Sequence, residues 1–168
     1  VYPVLIERQH PLAAVYEGKN AVFVEAEAAG ELMFYGAGAG GVETASAVLG
    51  DLVSTARRHV AGGPGIPGSM HADLPLLPIG DVLSRYQIML EVSDEPGVRA
   101  TVAGILAENG ASAASVEQSV PRDAHGTATL VIGTHTARES ALAATVSALE
   151  ASAVVSQVTS VLRVEGNS

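Results

Sequence analysis

The stretch YQIMLEVSDEPGVRATVAGILAENG, residues 86–110, determines the fold of the second half of the chain. Its first part alternates between large apolar side chains and polar or less apolar ones, which is typical of a strand with one face in a core. The core-facing side chains are Tyr86, Ile88, Leu90 and Val92, and those of the other face are Gln87, Met89 and Glu91. The sequence thus predicts a half-buried strand.

A turn and a helix follow this strand directly. The stretch Asp94-Glu95-Pro96-Gly97 has the composition of a turn. Apolar residues then recur at helical spacing as far as Asn109-Gly110, a pair that typically ends a helix. The apolar stripe of this helix consists of Val98, Val102, Ile105 and Leu106.

The remainder of this half completes a known arrangement. Strands are predicted over 111–118 and 127–134 with a loop over 121–126 between them, a second helix carries Leu142, Val146 and Leu149, and a last strand spans 155–164. The order β-α-β-β-α-β is that of ferredoxin-like folds, with four antiparallel strands and two helices on one face. We therefore predict an α+β protein with this domain over 82–168.

A capping box is predicted at the start of the second helix. Thr136 and Glu139 have the required spacing. The Thr136 hydroxyl would accept from a backbone N–H of the first turn, and the Glu139 side chain would accept from the Thr136 N–H.

Residues 1–61 predict a strand, a hairpin and a helix. Val4 to Ile6 forms a short apolar strand, and the alternating residues 21–28 turn back at Ala29-Gly30 and return over 31–35. A glycine-rich turn then leads into a helix from Thr44 with one apolar stripe, which we expect to be buried. The stripe comprises Ala45, Val48, Leu49, Leu52, Val53 and Ala56.

Residues 62–81 contain five glycines and four prolines and predict a linker or docking loop, whose Leu74, Leu76 and Leu77 suggest that it lies along a surface.

Composition excludes several classes of protein. The chain has 168 residues and a formal charge of -9, from 18 acidic and 9 basic residues. This balance disfavours a nucleic-acid partner, because such binding relies on clustered Lys and Arg. Cysteine is absent, which excludes disulfides and thiolate chemistry. No apolar run reaches the roughly 18 residues of a membrane span. A cytoplasmic protein with no membrane partner is expected.

The sequence carries no pattern of a metal site or of a hydrolase. The five histidines show neither HxxxH nor HxH spacing, so no metal is expected. Ser46 lacks the G-x-S-x-G context of a hydrolase nucleophile. We predict no catalytic residue in this chain.

Two stretches of the first segment resemble homoserine dehydrogenase. They are HPLAAVYEGKNAVFVEAEAAGELMFYG, residues 10–36, and GAGAGGVETASAVLGDL, residues 36–52. These are similar to the family's His-Pro-Leu, Asn-Ala-Val and Gly-x-Gly-Ala-Gly motifs, which precede Thr-Ala-Ser-Ala-Val and an Asp. Residues 84–164 separately resemble the ACT domain, the amino-acid-sensing module that some of these enzymes carry at the C-terminus. By resemblance, the chain is the C-terminal portion of a homoserine dehydrogenase.

The resemblance implies the chemistry of the complete enzyme and a cofactor contact. The enzyme would use NAD(P) to interconvert L-homoserine and L-aspartate 4-semialdehyde, in threonine, methionine and isoleucine biosynthesis. Gly38, Ala39 and Gly40 would approach the cofactor, and Thr44 would open the helix that returns to the nucleotide domain. Glycines permit such an approach, and helix N–H groups suit an anion. Glu43 and Ala37 depart from the family pattern, and Glu43 introduces an acid at the supposed anion site.

Other parts of the family pattern have no counterpart here. The Rossmann fingerprint and the catalytic Lys resemble nothing in these residues, and the single lysine, Lys19, lies in the loop YEGKN. The chain begins Val-Tyr-Pro without an initiator Met. We expect it to be part of a longer protein, and to be inactive and bind no cofactor tightly by itself.

The ACT-like resemblance implies an effector site. It carries over to the loop Asp94, Glu95, Pro96, Gly97 and Val98, with Asn109 and Gly110 at the far end of the helix as further candidates. The N–H groups of the helix N-terminus suit the carboxylate of an amino acid, and the acids suit its ammonium group. The family resemblance identifies the effector as threonine. Exposed sheet edges predict pairing with a second copy of the chain, hence a homo-oligomer through this domain and through the catalytic sheet.

Simpler interpretations stay open at each of these places. The glycine turn serves equally as a strand-to-helix connection without a ligand, and Asp94 to Gly97 serves as an ordinary turn. The alternative for the whole chain is a stand-alone amino-acid-binding dimerisation module with no catalytic role.

Overall fold

The computed structural model describes residues 1–62, 74–119 and 126–165. The chain forms two compact units, one of Val1–Glu7 with Pro75–Ser168 and one of Arg8–Leu74. The strands are β1 (Val4–Ile6), β2 (Lys19–Ala26), β3 (Gly30–Ala37), β4 (Leu83–Ser93), β5 (Ala113–Ser119), β6 (Thr127–Thr134), β7 (Ala137–Arg138) and β8 (Val155–Glu165). The helices are α1 (Gly41–Ala61), α2 (Val98–Glu108) and α3 (Glu139–Glu150), with short 3-10 turns at Pro11–Ala14 and Ile79–Asp81.

The larger unit has the predicted ferredoxin-like topology. Its central strands lie in the order β8-β4-β6-β5, and all three neighbouring pairs are antiparallel. The order of elements along the chain, β4-α2-β5-β6-α3-β8 with the two-residue β7 before α3, matches the predicted β-α-β-β-α-β. The α+β prediction for this part of the chain is confirmed. The predicted loop over 121–126 lies almost wholly outside the described residues.

The core of this unit consists of the residues that the periodicities indicated. All four predicted inward side chains of β4 are buried, and so are matching positions of β6, α2 and α3. The best-covered side chains are Ile88, Leu90, Leu106, Leu130, Ile132, Leu142 and Leu149. Ile105 and Val146 are partly buried and pack against them. Each such side chain contributes about 1.5–3 kcal/mol by leaving water, so this layer dominates the stability of the unit.

Strand β1 joins a different sheet from its neighbours in sequence. It was predicted as part of the 1–61 segment, but it pairs in parallel with β8, with Val4 opposite Arg163 and Ile6 opposite Glu165. It therefore extends the sheet of the larger unit beyond β8. A strand of three residues has too little pattern to indicate its partner, and the unpaired backbone groups of the β8 edge supply one.

The predicted capping box at Thr136 is wrong. Helix α3 begins at Glu139, and its N-cap, Arg138, makes no side-chain capping bond. The preceding residues form β7, which pairs Ala137 and Arg138 with Ser84 and Leu83 at the start of β4. The Glu139 side chain is buried, and it turns to buried donors because a carboxylate removed from water must be paired.

Four residues, Glu139, Arg163, Tyr86 and Tyr2, form what we call the Glu139 cluster. Glu139 Oε1 accepts a hydrogen bond from the Tyr86 hydroxyl at 2.7 Å and an ion-paired one from Arg163. The Arg163 guanidinium lies 3.8 Å from the centre of the Tyr2 ring, in cation–π geometry. The cluster thus ties the residue preceding β1 to β4, α3 and β8. Glu139 Oε2 is buried without a hydrogen-bond partner among the described residues.

The cluster shifts the pKa values of its members. Burial raises the pKa of the Tyr86 hydroxyl to about 12, and the hydrogen bond to Glu139 acts in the same direction. The hydrogen bond to Glu139 also raises the pKa of the Arg163 guanidinium above its ordinary value. The neutral tyrosine and the charged arginine are thus the stable forms in the folded chain.

The smaller unit contains the predicted hairpin and helix. Strands β2 and β3 pair antiparallel from Lys19 opposite Ala37 to Ala26 opposite Gly30. Helix α1 begins at Gly41, three residues before the predicted start at Thr44. The Thr44 N–H donates to Gly40 O at 3.0 Å, which puts Thr44 inside the first turn.

The prediction that the stripe of α1 is buried is wrong for this chain. No residue of α1 is buried, and Leu49 and Leu52 are 57% and 61% exposed. Periodicity indicates that one face is apolar, but not whether the same chain supplies the surface that covers it.

In the linker region, residues 63–73 lie outside the described part, and Leu74, Leu76 and Leu77 are exposed.

We predict that Arg163→Met lowers the free energy of unfolding by about 3 kcal/mol, because it leaves the buried Glu139 carboxylate without its ion pair. Urea unfolding of the chain measures the loss. Arg138→Met is the matched control, since Arg138 pairs with Asp81 at 2.5 Å while its side chain stays 64% exposed. Such a surface pair contributes at most about 1 kcal/mol. Equal losses in the two variants would contradict the role of the cluster.

We also predict a pH dependence that originates at Tyr86. Its pKa is raised on folding, so its contribution to stability is complete below about pH 10, the ordinary pKa of tyrosine, and is lost as the pH rises through about 12. Tyr86→Phe should therefore flatten the fall in unfolding free energy above pH 10. Urea unfolding at several pH values measures it. Tyr16→Phe, at a side chain 69% exposed, should keep the wild-type slope, and an unchanged slope in Tyr86→Phe would refute the assignment.

Candidate functional site

A cavity of about 460 Å³ lies at the end of β4, in the larger unit. The structure brings together there all five residues of the loop predicted to bind an effector. Its lining consists of Val92, Ser93, Asp94, Glu95, Pro96, Gly97, Val98, Arg99, Gln118 and Leu130. We call it the loop cavity.

The loop conformation depends on Gly97. This residue has φ +94°, in the left-handed region that side chains other than glycine rarely adopt, and it is the N-cap of α2. The first bond of helical spacing runs from the Thr101 N–H to Gly97 O at 3.0 Å. The N–H groups of Arg99 and Ala100 precede it and have no acceptor within the helix. The N-terminus of α2 at the cavity can therefore donate to an anion.

Backbone hydrogen bonds hold the loop against two neighbouring segments. The Asp94 N–H donates to Gly126 O at 2.9 Å, and the Ser93 N–H donates to Val154 O at 3.2 Å. The backbone at Asp94 is thereby held at the end of a buried strand, which favours a preformed site.

Two consecutive side-chain hydrogen bonds link the loop to β5. Arg99 Nε donates to Gln118 Oε1 at 2.7 Å, and Gln118 Nε2 donates to Asp94 Oδ1 at 3.4 Å. The Asp94 carboxylate and the Arg99 guanidinium thus line one cavity, with the Gln118 amide between them. This charge arrangement complements a zwitterion, whose ammonium and carboxylate groups need opposite partners.

Arg99 and Gln118 line the loop cavity, and the sequence did not indicate them as candidates. Arg99 lies in the first turn after the glycine, a position from which its side chain could have been suspected. Gln118 lies 19 residues further along, on β5, and only the folding of β5 beside β6 brings it to the cavity.

Asn109 and Gly110 do not line the loop cavity. Asn109 caps the other end of α2, where its Nδ2 donates to Ile105 O at 2.8 Å. The Gly110 N–H donates to Ala107 O at 3.1 Å. Both residues end the helix in this structure.

The predicted cofactor residues Gly38, Ala39, Gly40 and Thr44 lie together in the smaller unit, where β3 leads into α1. Gly38 donates its N–H to Gly18 O at 3.0 Å, and a Cβ at Gly38 would collide with the Asn20 side chain. A larger residue at position 38 would therefore have to displace the Asn20 amide. Gly40, at φ +152°, is the N-cap of α1, and Glu43 lies in the first turn.

Two kinds of feature are absent from the described ranges. Residues 1–62, 74–119 and 126–165 contain no group of three or more acidic, histidine or cysteine side chains placed to hold a metal ion. No helix within them has the length and apolar character needed to cross a membrane.

Comparisons with known proteins give one consistent result. The homoserine dehydrogenase family model matches residues 1–53. The homoserine dehydrogenase of Mycobacterium tuberculosis H37Rv is 50% identical over 99% of this chain, and that of Corynebacterium glutamicum is 47% identical over 98%. The chain spans 38% and 36% of the lengths of these two relatives.

A solved structure agrees with these relatives over both units. The crystal structure of a homoserine dehydrogenase from Thiobacillus denitrificans is 32% identical, with a TM-score of 0.80, and the match covers 96% of this chain and 37% of that one. The likeness extends far beyond the 53 residues of the family model. The chain is therefore a homologue of the homoserine dehydrogenases and corresponds to the C-terminal portion of their length.

Proposed function

We propose that the chain is the C-terminal regulatory portion of an NAD(P)-dependent homoserine dehydrogenase, a cytoplasmic enzyme that interconverts L-homoserine and L-aspartate 4-semialdehyde. The observation that carries this proposal is the 50% identity over 99% of the chain. The reaction serves threonine, methionine and isoleucine biosynthesis. Residues 1–61 belong to the catalytic region, and residues 82–168 form an ACT-like regulatory domain. Residues 62–81 link these two parts.

The exposed stripe of α1 supports a role for the smaller unit within a larger enzyme. An amphipathic helix of 21 residues without a buried side chain has an apolar face suited to a protein partner. More than half of the relative's length lies outside the portion that this chain matches. In this proposal that part covers the stripe and contributes the catalytic residues.

The glycine turn fits only part of a dinucleotide. Glycines at positions 38 and 40 keep the backbone free of side chains, and the first-turn N–H groups of α1 can donate. The Glu43 carboxylate lies beside Gly40, where a Cβ would meet it, so it opposes a phosphate at this point. Gly38, Ala39, Gly40 and Thr44 would therefore contact an uncharged part of the cofactor, which supplies the hydride chemistry when bound.

The loop cavity supports amino-acid sensing in the larger unit. The α2 N-terminus and Arg99 can hold a carboxylate, and Asp94 and Glu95 can hold an ammonium group. Both ends of an α-amino acid would thus have a partner in one cavity. Threonine is the effector that the family resemblance implies.

We expect L-threonine to bind the 168-residue chain saturably in calorimetric titration. Asp94→Asn should weaken binding about tenfold or more, because a hydrogen bond to a charged group contributes about 1.5–3 kcal/mol. Gly97→Ala should act similarly by straining the loop. Glu108→Gln, at the far end of α2, is the control and should bind as wild type. Sensing would be disproved by the absence of saturable binding for any amino acid, or by unchanged affinity in Asp94→Asn.

The sheet of the larger unit supports pairing through one edge. Strand β1 covers β8, so β5 is the other end of the strand order. Val116 on β5 is 49% exposed, and such an edge is a template for a strand of another copy. In this proposal two chains associate side by side at β5.

Sedimentation equilibrium at micromolar concentration should give twice the 17.0 kDa mass of the chain. Val116→Lys should shift the mass toward the monomer, because an edge lysine opposes strand pairing. Val161→Lys, on β8, is the control and should leave the dimer intact. A monomer mass for the wild-type chain would exclude this pairing.

A further inference from the structure

Strand β1 is attached to the sheet of the larger unit along a short length. Its three residues pair with Arg163–Glu165 at the end of β8, whereas β4 pairs with β8 along almost the whole of that strand. The side chains of β1 add little burial, because Val4 and Leu5 remain 37% and 36% exposed. Backbone pairing over three residues therefore holds the segment only weakly against the entropy cost of ordering it.

The side chain of Tyr2 provides a second attachment beside β1. The Arg163 guanidinium lies 3.8 Å from the centre of the Tyr2 ring, and Tyr2 remains 47% exposed. Pro3 separates Tyr2 from β1. A proline fixes its own φ and restricts the residue before it to extended conformations, so the Tyr2 ring and β1 are joined by a stiff link. A cation–π contact at a half-exposed ring is weak, and breaking it costs little.

Arg163 contacts Tyr2 and Glu139 through different parts of its guanidinium group. Its Nη2 donates to the buried Glu139 carboxylate, whereas its central carbon, Cζ, lies over the Tyr2 ring. The same carboxylate accepts from the Tyr86 hydroxyl. The Tyr2 ring can therefore leave without breaking the ion pair, and no buried charge loses its partner when it does.

We propose that residues 2–6 form a strap that opens from the β8 edge as one unit while the pair of Glu139 and Arg163 stays closed. The contact between Tyr2 and Arg163 sets how often the strap opens. In the open state, the backbone groups of 163–165 that face β1 become available to another extended segment. This device is independent of the loop cavity, and it holds whether or not that cavity binds an amino acid.

Hydrogen exchange of individual backbone amides, measured by NMR on the 168-residue chain, tests the strap. The amides that bond β1 to β8 should exchange at least tenfold faster than those of Leu90 and Leu130, which lie opposite each other on the two central strands. Tyr2→Ala should accelerate exchange in β1 about fivefold further, because it removes the cation–π contact. Exchange at Leu90 and Leu130 should not change.

Two further variants serve as controls. Tyr2→Phe keeps an aromatic ring over Arg163 and should exchange in β1 at close to the wild-type rate. Tyr16→Ala removes a ring that is 69% exposed elsewhere in the chain, and it should leave β1 unchanged. Fast exchange in β1 that Tyr2→Ala increases and Tyr2→Phe does not would establish the strap.

Four results would overturn the proposal. Exchange in β1 as slow as at Leu90 and Leu130 would mean that β1 opens only with the whole sheet. Equal acceleration of both sets of amides in Tyr2→Ala would report a loss of global stability. Unchanged exchange in Tyr2→Ala would mean that backbone pairing alone holds β1. A response at Val4 without one at Ile6 would show fraying from the chain end in place of opening as a unit.

Discussion

The pairing of one buried carboxylate organises the larger unit. Glu139 is 6% exposed at the first residue of α3, where its charge must be offset by donors from elsewhere in the fold. Tyr86 on β4 and Arg163 on β8 provide them, so the helix start, the central strand and the last strand are fixed relative to one another. Arg163 then holds Tyr2 against its guanidinium face. The residues around β1 are thereby attached to a sheet far away in sequence.

Sequence periodicity was sufficient to predict the parts of the fold in which local pattern and burial coincide. The alternation of Tyr86 to Val92 and the stripe of α2 correspond directly to the core. The errors concern partners that pattern does not encode. A three-residue β1 shows no preference for a sheet, and the apolar face of α1 looks the same whether or not its partner lies within the chain. Thr136 and Glu139 satisfied a local capping rule, but the tertiary demand of a buried acid outweighed it.

The residues of the candidate site also divide into those that the sequence predicted and those that it did not. The loop from Asp94 to Val98 was predictable, because a strand, a Pro-Gly turn and a helix start in sequence place those residues at one end of the unit. Gln118 was not, since its approach to Arg99 and Asp94 depends on β5 lying beside β6.

The chain passes between its two compact units twice. One passage is at Glu7–Arg8, immediately after β1, and the other is at Leu74–Pro75, after the glycine- and proline-rich segment. The first is short, and β1 is held by backbone pairing to β8. The loop cavity and the Glu139 cluster lie at opposite ends of the same buried strand β4. β1 therefore attaches the chain to the sheet of the larger unit immediately before the first passage.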